Sequence, residues 1–132
     1  MMRKGTSATT ERATMEVIAK LTRSESTHAL DFFNCTKHVH ERMGRIERNG
    51  LGLGSLVSGY LVDNKHPMGL EEHFVTTSGL VIIRNHNTKK AVTILVARPE
   101  QICRYYRPFH ERAPKNLIDI AIRNVEMGYN LD

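Results

Sequence analysis

A change of periodicity near residue 70 limits the possible folds more than any other feature. Beyond it, Glu72–Thr77, Leu80–Arg84 and Lys90–Ala97 are rich in Val, Ile, Thr and Phe, and are separated by Ser78-Gly79 and His86-Asn87-Thr88. Runs of β-branched and aromatic residues between short polar turns predict strands. Turns this tight leave no room for a crossover, so the strands form an antiparallel meander rather than a parallel sheet. Arg98-Pro99 closes the last strand. Gln101–Tyr106 suits either a fourth, edge strand or a helical turn after Pro99.

Upstream, the spacing of apolar residues is helical. Met15, Ile18, Ala19 and Leu21 predict a short amphipathic helix over Glu11–Arg23, and Asp31–Cys35 reads as a helix end or a short strand. Thr36 reads as an N-cap for a helix running to Arg48, with Asn49-Gly50 as its stop. Val39, Met43 and Ile46 make its apolar stripe. Leu53, Leu56, Val57, Tyr60 and Leu61 follow i, i+3, i+4, i+7, i+8 and predict a further helix from Gly54-Ser55. Asp63–Gly69 is a loop. Pro114 at position N1 opens a C-terminal helix over 114–128, with Leu117, Ile118, Ala121, Ile122 and Val125 as its apolar face. The class is therefore α+β: N-terminal helices, a small antiparallel sheet of three to four strands, and a C-terminal helix. The 132 residues suit a single domain, with 1–10 a frayed terminus.

The net charge is +5, which favours an anionic partner, nucleic acid first and membrane surface second. No apolar run approaches the about 18 residues of a membrane span, and no secretory h-region follows the N-terminus, so a cytoplasmic protein is expected. Cys35 and Cys103 lie far apart and read as reduced thiols behaving as small hydrophobes.

His38, Arg42 and Arg45 stand at i, i+4, i+7, one position behind the apolar stripe of the Thr36-capped helix. That helix thus presents an imidazole and two guanidiniums beside its buried face. In the first turn the helix dipole disfavours an imidazolium, leaving a neutral ring able to act as a general base. Guanidiniums bind a phosphate and its developing charge. RNA cleavage by its own 2′-hydroxyl needs these parts and no metal. The structural alternative is a solvated charged face with a structural histidine.

Residues 34–106 run from Asn-Cys-Thr-Lys-His-Val-His-Glu-Arg-Met through a second helix to a meander ending Lys-Ala-Val-Thr-Ile-Leu-Val. This resembles small bacterial and phage domains of the RelE/colicin D-like ribonuclease class. One group of these opens with a His-x-x-x-Arg-Met helix and carries a Thr on a late strand; His38, Arg42, Met43 and Thr93 match it. The resemblance implies metal-independent cleavage of RNA by a toxin or phage nuclease, and a neutralising antitoxin or inhibitor protein as partner. Residues 1–33 and the C-terminal helix lie outside it. Strand alternation places Thr93 with Ala91 and Leu95, opposite Val92, Ile94 and Val96. Its hydroxyl is then a candidate to bond a phosphate or orient His38, beside the plainer reading of Thr as a strand former.

Arg98, Arg104, Tyr105, Tyr106 and Arg107 head the densest basic and aromatic stretch, which runs to Lys115. Arginines on phosphates and tyrosines on unpaired bases suit a single-stranded RNA track; equally, the aromatics are core residues with arginines snorkelling around them. Cys35, His38 and His40 are close, while His66, His73, His86 and His110 are scattered, and none has zinc-ligand spacing, so no metal or other cofactor is expected. Neither cysteine has a nucleophile signature. Gly50–Gly54 lacks the lysine of a phosphate loop. The functional expectation is a metal-independent endoribonuclease; the alternative is a non-catalytic nucleic-acid-binding or protein-interaction module using the same basic face.

Overall fold

A computed structural model describes residues 16–21, 34–64 and 69–129. In chain order these form β1 (Glu16–Leu21), β2 (Asn34–Cys35), α1 (Lys37–Arg48), β3 (Leu56–Asp63), β4 (Leu70–Thr76), β5 (Leu80–Asn85), β6 (Lys90–Val96), α2 (Pro99–Tyr106), a 3-10 turn (Arg107–Phe109) and α3 (Lys115–Glu126). The sheet order is β1-β3-β4-β5-β6-β2. Five strands are antiparallel, and two-residue β2 adds in parallel to β6 through Asn34↔Lys90 and Cys35↔Ala91. The protein is α+β, with helices on both faces of the sheet.

On one face α1 buries Val39, Met43 and Ile46 against Leu56, Phe74, Leu80, Ile82, Ala91 and Ile94. On the other, α2 and α3 bring Ile102, Tyr105, Tyr106, Leu117 and Ala121 onto Tyr60, Val62, Val75, Val81 and Ile83. The β4–β5 hairpin anchors the second layer. Buried Thr76 accepts the amides of Ser78 (3.2 Å) and Leu80 (3.3 Å) on its Oγ1, and Asn124 of α3 donates to the Ser78 carbonyl at 2.9 Å. Gly79 adopts φ +79°, and a Cβ there would meet Asn124 Nδ2 at 2.8 Å, so the turn requires glycine.

The Thr36 helix and the meander form where the sequence places them. Thr36 accepts the Val39 amide at 3.4 Å, Asn49 caps the end, and Gly50 follows at φ +79°. Four expectations need correction. The sheet is larger than three or four strands. Residues 56–63 are a strand, β3, not a helix. It is covered on both faces and bulged at Val57, where Leu56 and Ser58 oppose Thr76 and Val75. A strand buried on both sides has apolar residues at every phase, and here they imitate a helical period. Residues 16–21 are likewise a strand rather than part of a helix, with Ile18 left 51% exposed at a bulge; Met15 and the rest of 11–23 lie outside the described residues. Pro114 occupies the N-cap, not N1. Of the two readings open for Gln101–Tyr106, the helical one is realised.

Candidate functional site

Three of the expected site residues share the outer side of α1. His38 and Arg45 are exposed and Arg42 is half-buried. Arg42 Nε donates to His38 Nε2 at 2.8 Å, and its Nη1 donates to the Ile94 carbonyl at 3.3 Å. The first bond requires an unprotonated Nε2, hence a neutral ring carrying its proton on Nδ1. The second fixes the guanidinium to β6, whose outer edge beyond Ala91 has no strand partner among the described residues. The Thr36 amide bonds the Ala91 carbonyl. From there to Arg42, six residues of helix rise about 9 Å, matching the about 10 Å spanned by the three strand residues from Ala91 to Ile94. So α1 runs parallel to β6, and Arg45 lies about one turn beyond Arg42 on the same helix face.

Thr93 does not join them. It pairs with Ile83, as Leu95 pairs with Val81, and these neighbours lie in the α2/α3 layer. An irregularity at Val92, where Ile83 and Arg84 oppose Thr93 and Ala91, breaks simple alternation. Ala91 consequently falls on the α1 side and Thr93 on the opposite face, away from His38 and Arg42. The aromatic residues are also elsewhere. In a helix Tyr105 and Tyr106 face the same way as Ile102, and both are buried, 0% and 7% exposed, so neither offers a ring to a base. Arg104 and Arg107 belong to the α2 layer, and exposed Arg98 joins β6 to α2. The sheet therefore separates the α1 basic row from Arg104 and Arg107. Cys103 is a free, exposed thiol rather than a small buried hydrophobe. His66 lies outside the described residues, among which no three His, Cys, Asp or Glu side chains cluster as a metal site. No helix among them is long and apolar enough to cross a membrane.

Two buried polar networks escaped sequence reasoning, and both stem from β4. On the α2/α3 side, His73 bonds Glu71 through Nε2 (3.1 Å) and the Tyr105 hydroxyl through Nδ1 (2.7 Å); Gln101 donates to that hydroxyl and Asn64 to Glu71. Burial pushes Tyr105 above the ordinary tyrosine range, so it remains a donor. A carboxylate–imidazole–hydroxyl series resembles a catalytic relay, but the Tyr105 hydroxyl that ends it is fully buried, closed off from the surface. On the α1 side, Glu72 accepts from Arg84, His86 and Lys89. Three successive polar residues, Glu71-Glu72-His73, inside an otherwise apolar strand were the available signal.

Tyr60 stacks on Tyr105 at 5.1 Å, and its buried hydroxyl sits beside those of Ser58 and Tyr106 without a well-formed hydrogen bond to either. Burial without a bond costs free energy. Tyr60→Phe is therefore expected to stabilise the fold by about 1 kcal/mol, read as a higher urea midpoint. A midpoint lowered to the same extent would show the hydroxyl to be bonded.

Comparisons with protein-family models, curated proteins and solved structures gave no match to this chain.

Proposed function

We propose that the chain binds RNA along the outer side of α1 and the adjoining open edge of β6. The carrying observation is Arg42, held between His38 and the Ile94 carbonyl in the middle of the row formed by His38, Arg42 and Arg45. A guanidinium fixed in place loses less side-chain entropy on meeting a phosphate than a freely moving one. Phosphate contacts made by such a row supply sequence-independent affinity.

Binding to single-stranded RNA, followed by fluorescence anisotropy across a salt series, is expected to weaken steeply with salt. Each arginine removed in Arg42→Gln and Arg45→Gln should lower the slope of log K against log salt by about 0.7. An unchanged slope in the double variant would sink the reading.

The His38–Arg42 bond also favours a second reading, the metal-independent endoribonuclease of toxin or phage type. A phosphate entering the row would compete for Arg42, release the Nε2 lone pair of His38, and let it take the proton of the attacking 2′-hydroxyl. Thr93 has no part in this mechanism. Cleavage should then persist in EDTA and leave a 2′,3′-cyclic phosphate. His38→Ala should abolish it while RNA binding survives, and intact RNA with the wild-type protein would leave binding alone. Under this reading, which the resemblance to RelE/colicin D-like ribonucleases supports, a neutralising protein partner and a cytoplasmic site of action follow.

A further inference from the structure

Across the sheet from α1, the chain between α2 and α3 lines an open surface cavity of about 500 Å3. Exposed Arg107 and Arg112 line it, together with His110, which ends the 3-10 turn in the left-handed region at φ +56°. The only carboxylate in its lining among the described residues is Glu111, and Lys20 of β1 lies 2.6 Å from that carboxylate. Lys20 offsets that carboxylate, which leaves the two lining guanidiniums as a surplus of two positive charges before His110 is counted. The remaining lining is apolar or soft: Ala113 and Ile118 at the start of α3, and the Cys103 thiol on α2. The first turn of α3 carries no acidic side chain, and no side chain among the described residues caps it, so its positive end adds to the charge beside the cavity.

Both the charge and the shape select a ligand. Two guanidiniums match the oxygens of a phosphate better than a single carboxylate, and the surplus suits a group of charge about −1.5 to −2, that of a phosphate monoester near neutral pH. The apolar part of the lining, Ala113 and Ile118 with the Cys103 thiol, suits a hydrophobic body attached to it. We propose that this cavity binds a nucleoside monophosphate, either free or as the 5′-phosphorylated end of an RNA strand. It is a second site, independent of the RNA path along α1.

Cys103 reports occupancy because it is exposed and lines the cavity. Its alkylation by iodoacetamide, read by peptide mass mapping, is expected to slow severalfold with 5′-AMP and to be unaffected by adenosine. Arg107→Gln/Arg112→Gln should weaken protection at least about tenfold, whereas Arg42→Gln/Arg45→Gln should retain it, which separates this site from the α1 row. A 5′-phosphorylated ribo-oligonucleotide that protects where 5′-AMP does not assigns the site to strand ends; the reverse assigns it to free nucleotide. Equal protection by adenosine and 5′-AMP, by 5′-hydroxyl and 5′-phosphate oligonucleotides, or no protection by any phosphate monoester, overturns the proposal. So does undiminished protection in the Arg107/Arg112 variant.

Discussion

Glu72→Gln is expected to lower stability at neutral pH by about 2–3 kcal/mol, a loss that fades in acid. The Glu72 carboxylate is only 3% exposed and receives Arg84 Nε, His86 Nδ1 at 2.8 Å and Lys89 Nζ at 2.6 Å. Burial alone would raise its pKa, but the hydrogen bonds from Lys89, His86 and Arg84 outweigh burial and hold it below the ordinary carboxylate range. A carboxyl lowered on folding contributes stability that is complete above its unfolded pKa and lost as pH falls through the folded value. The wild type should therefore lose stability below about pH 4.5, the ordinary value for this carboxyl, and the gap to Glu72→Gln should close there. The expected cost is set below that of a fully buried pair because Lys89, 51% exposed, can return to water once its partner is gone. Arg84, 15% exposed and held over the Phe74 ring at 5.2 Å, cannot do so as easily. Lys89→Ala should accordingly cost no more than about 1 kcal/mol. Urea midpoints of the three proteins at pH 7 and in acid decide this; a pH-independent gap would show that Glu72 contributes by packing and not by charge.

How far the fold can be read from sequence depends on the range over which each element is determined. The α1 helix carries its own start, stripe and stop within Thr36–Gly50, and every one of those signals is realised. His38 and Arg42, four residues apart on it, meet as helical spacing requires. β3 depends instead on partners on both sides and both faces, so its apolar spacing carries no strand signature. At Gly59 the missing side chain is occupied by its cross-strand neighbour, since a Cβ would meet the Phe74 ring at 2.7 Å, and no local rule reports that contact. The one-residue irregularity at Val92 has a larger functional consequence. It puts Ala91, whose carbonyl receives the Thr36 amide at the start of α1, on the opposite face from Thr93 instead of the same one, and bulges of this kind are set by pairing with β5 rather than by the sequence of β6. The Glu72 network joins residues 12, 14 and 17 positions away, which become neighbours only when the β4–β5 register and the following turn are known.

His73→Ala is expected to be the more damaging change on β4, at about 3–5 kcal/mol. The donors and acceptors around it allow one fully satisfied arrangement. Gln101 donates to the Tyr105 oxygen at 2.9 Å, Tyr105 donates to His73 Nδ1, and His73 Nε2 donates to Glu71, which also accepts from Asn64 at 3.2 Å. An imidazolium would require Tyr105 to accept from both neighbours and leave its own proton without an acceptor. Removing the ring leaves the Glu71 side chain, 10% exposed, without its main donor, and strands the Tyr105 hydroxyl at a fully buried position. Tyr105→Phe removes only one link and should cost about 1–3 kcal/mol, because His73 Nδ1 loses its partner while the Glu71 bond survives. Because the two residues act in one chain, their effects should not add. The double variant is expected to be more stable than the sum of the single losses predicts, by at least about 0.5 kcal/mol. Urea unfolding of the four proteins gives that coupling directly. Strictly additive losses would mean that His73 and Tyr105 stabilise the sheet–helix layer independently, with no relay between them.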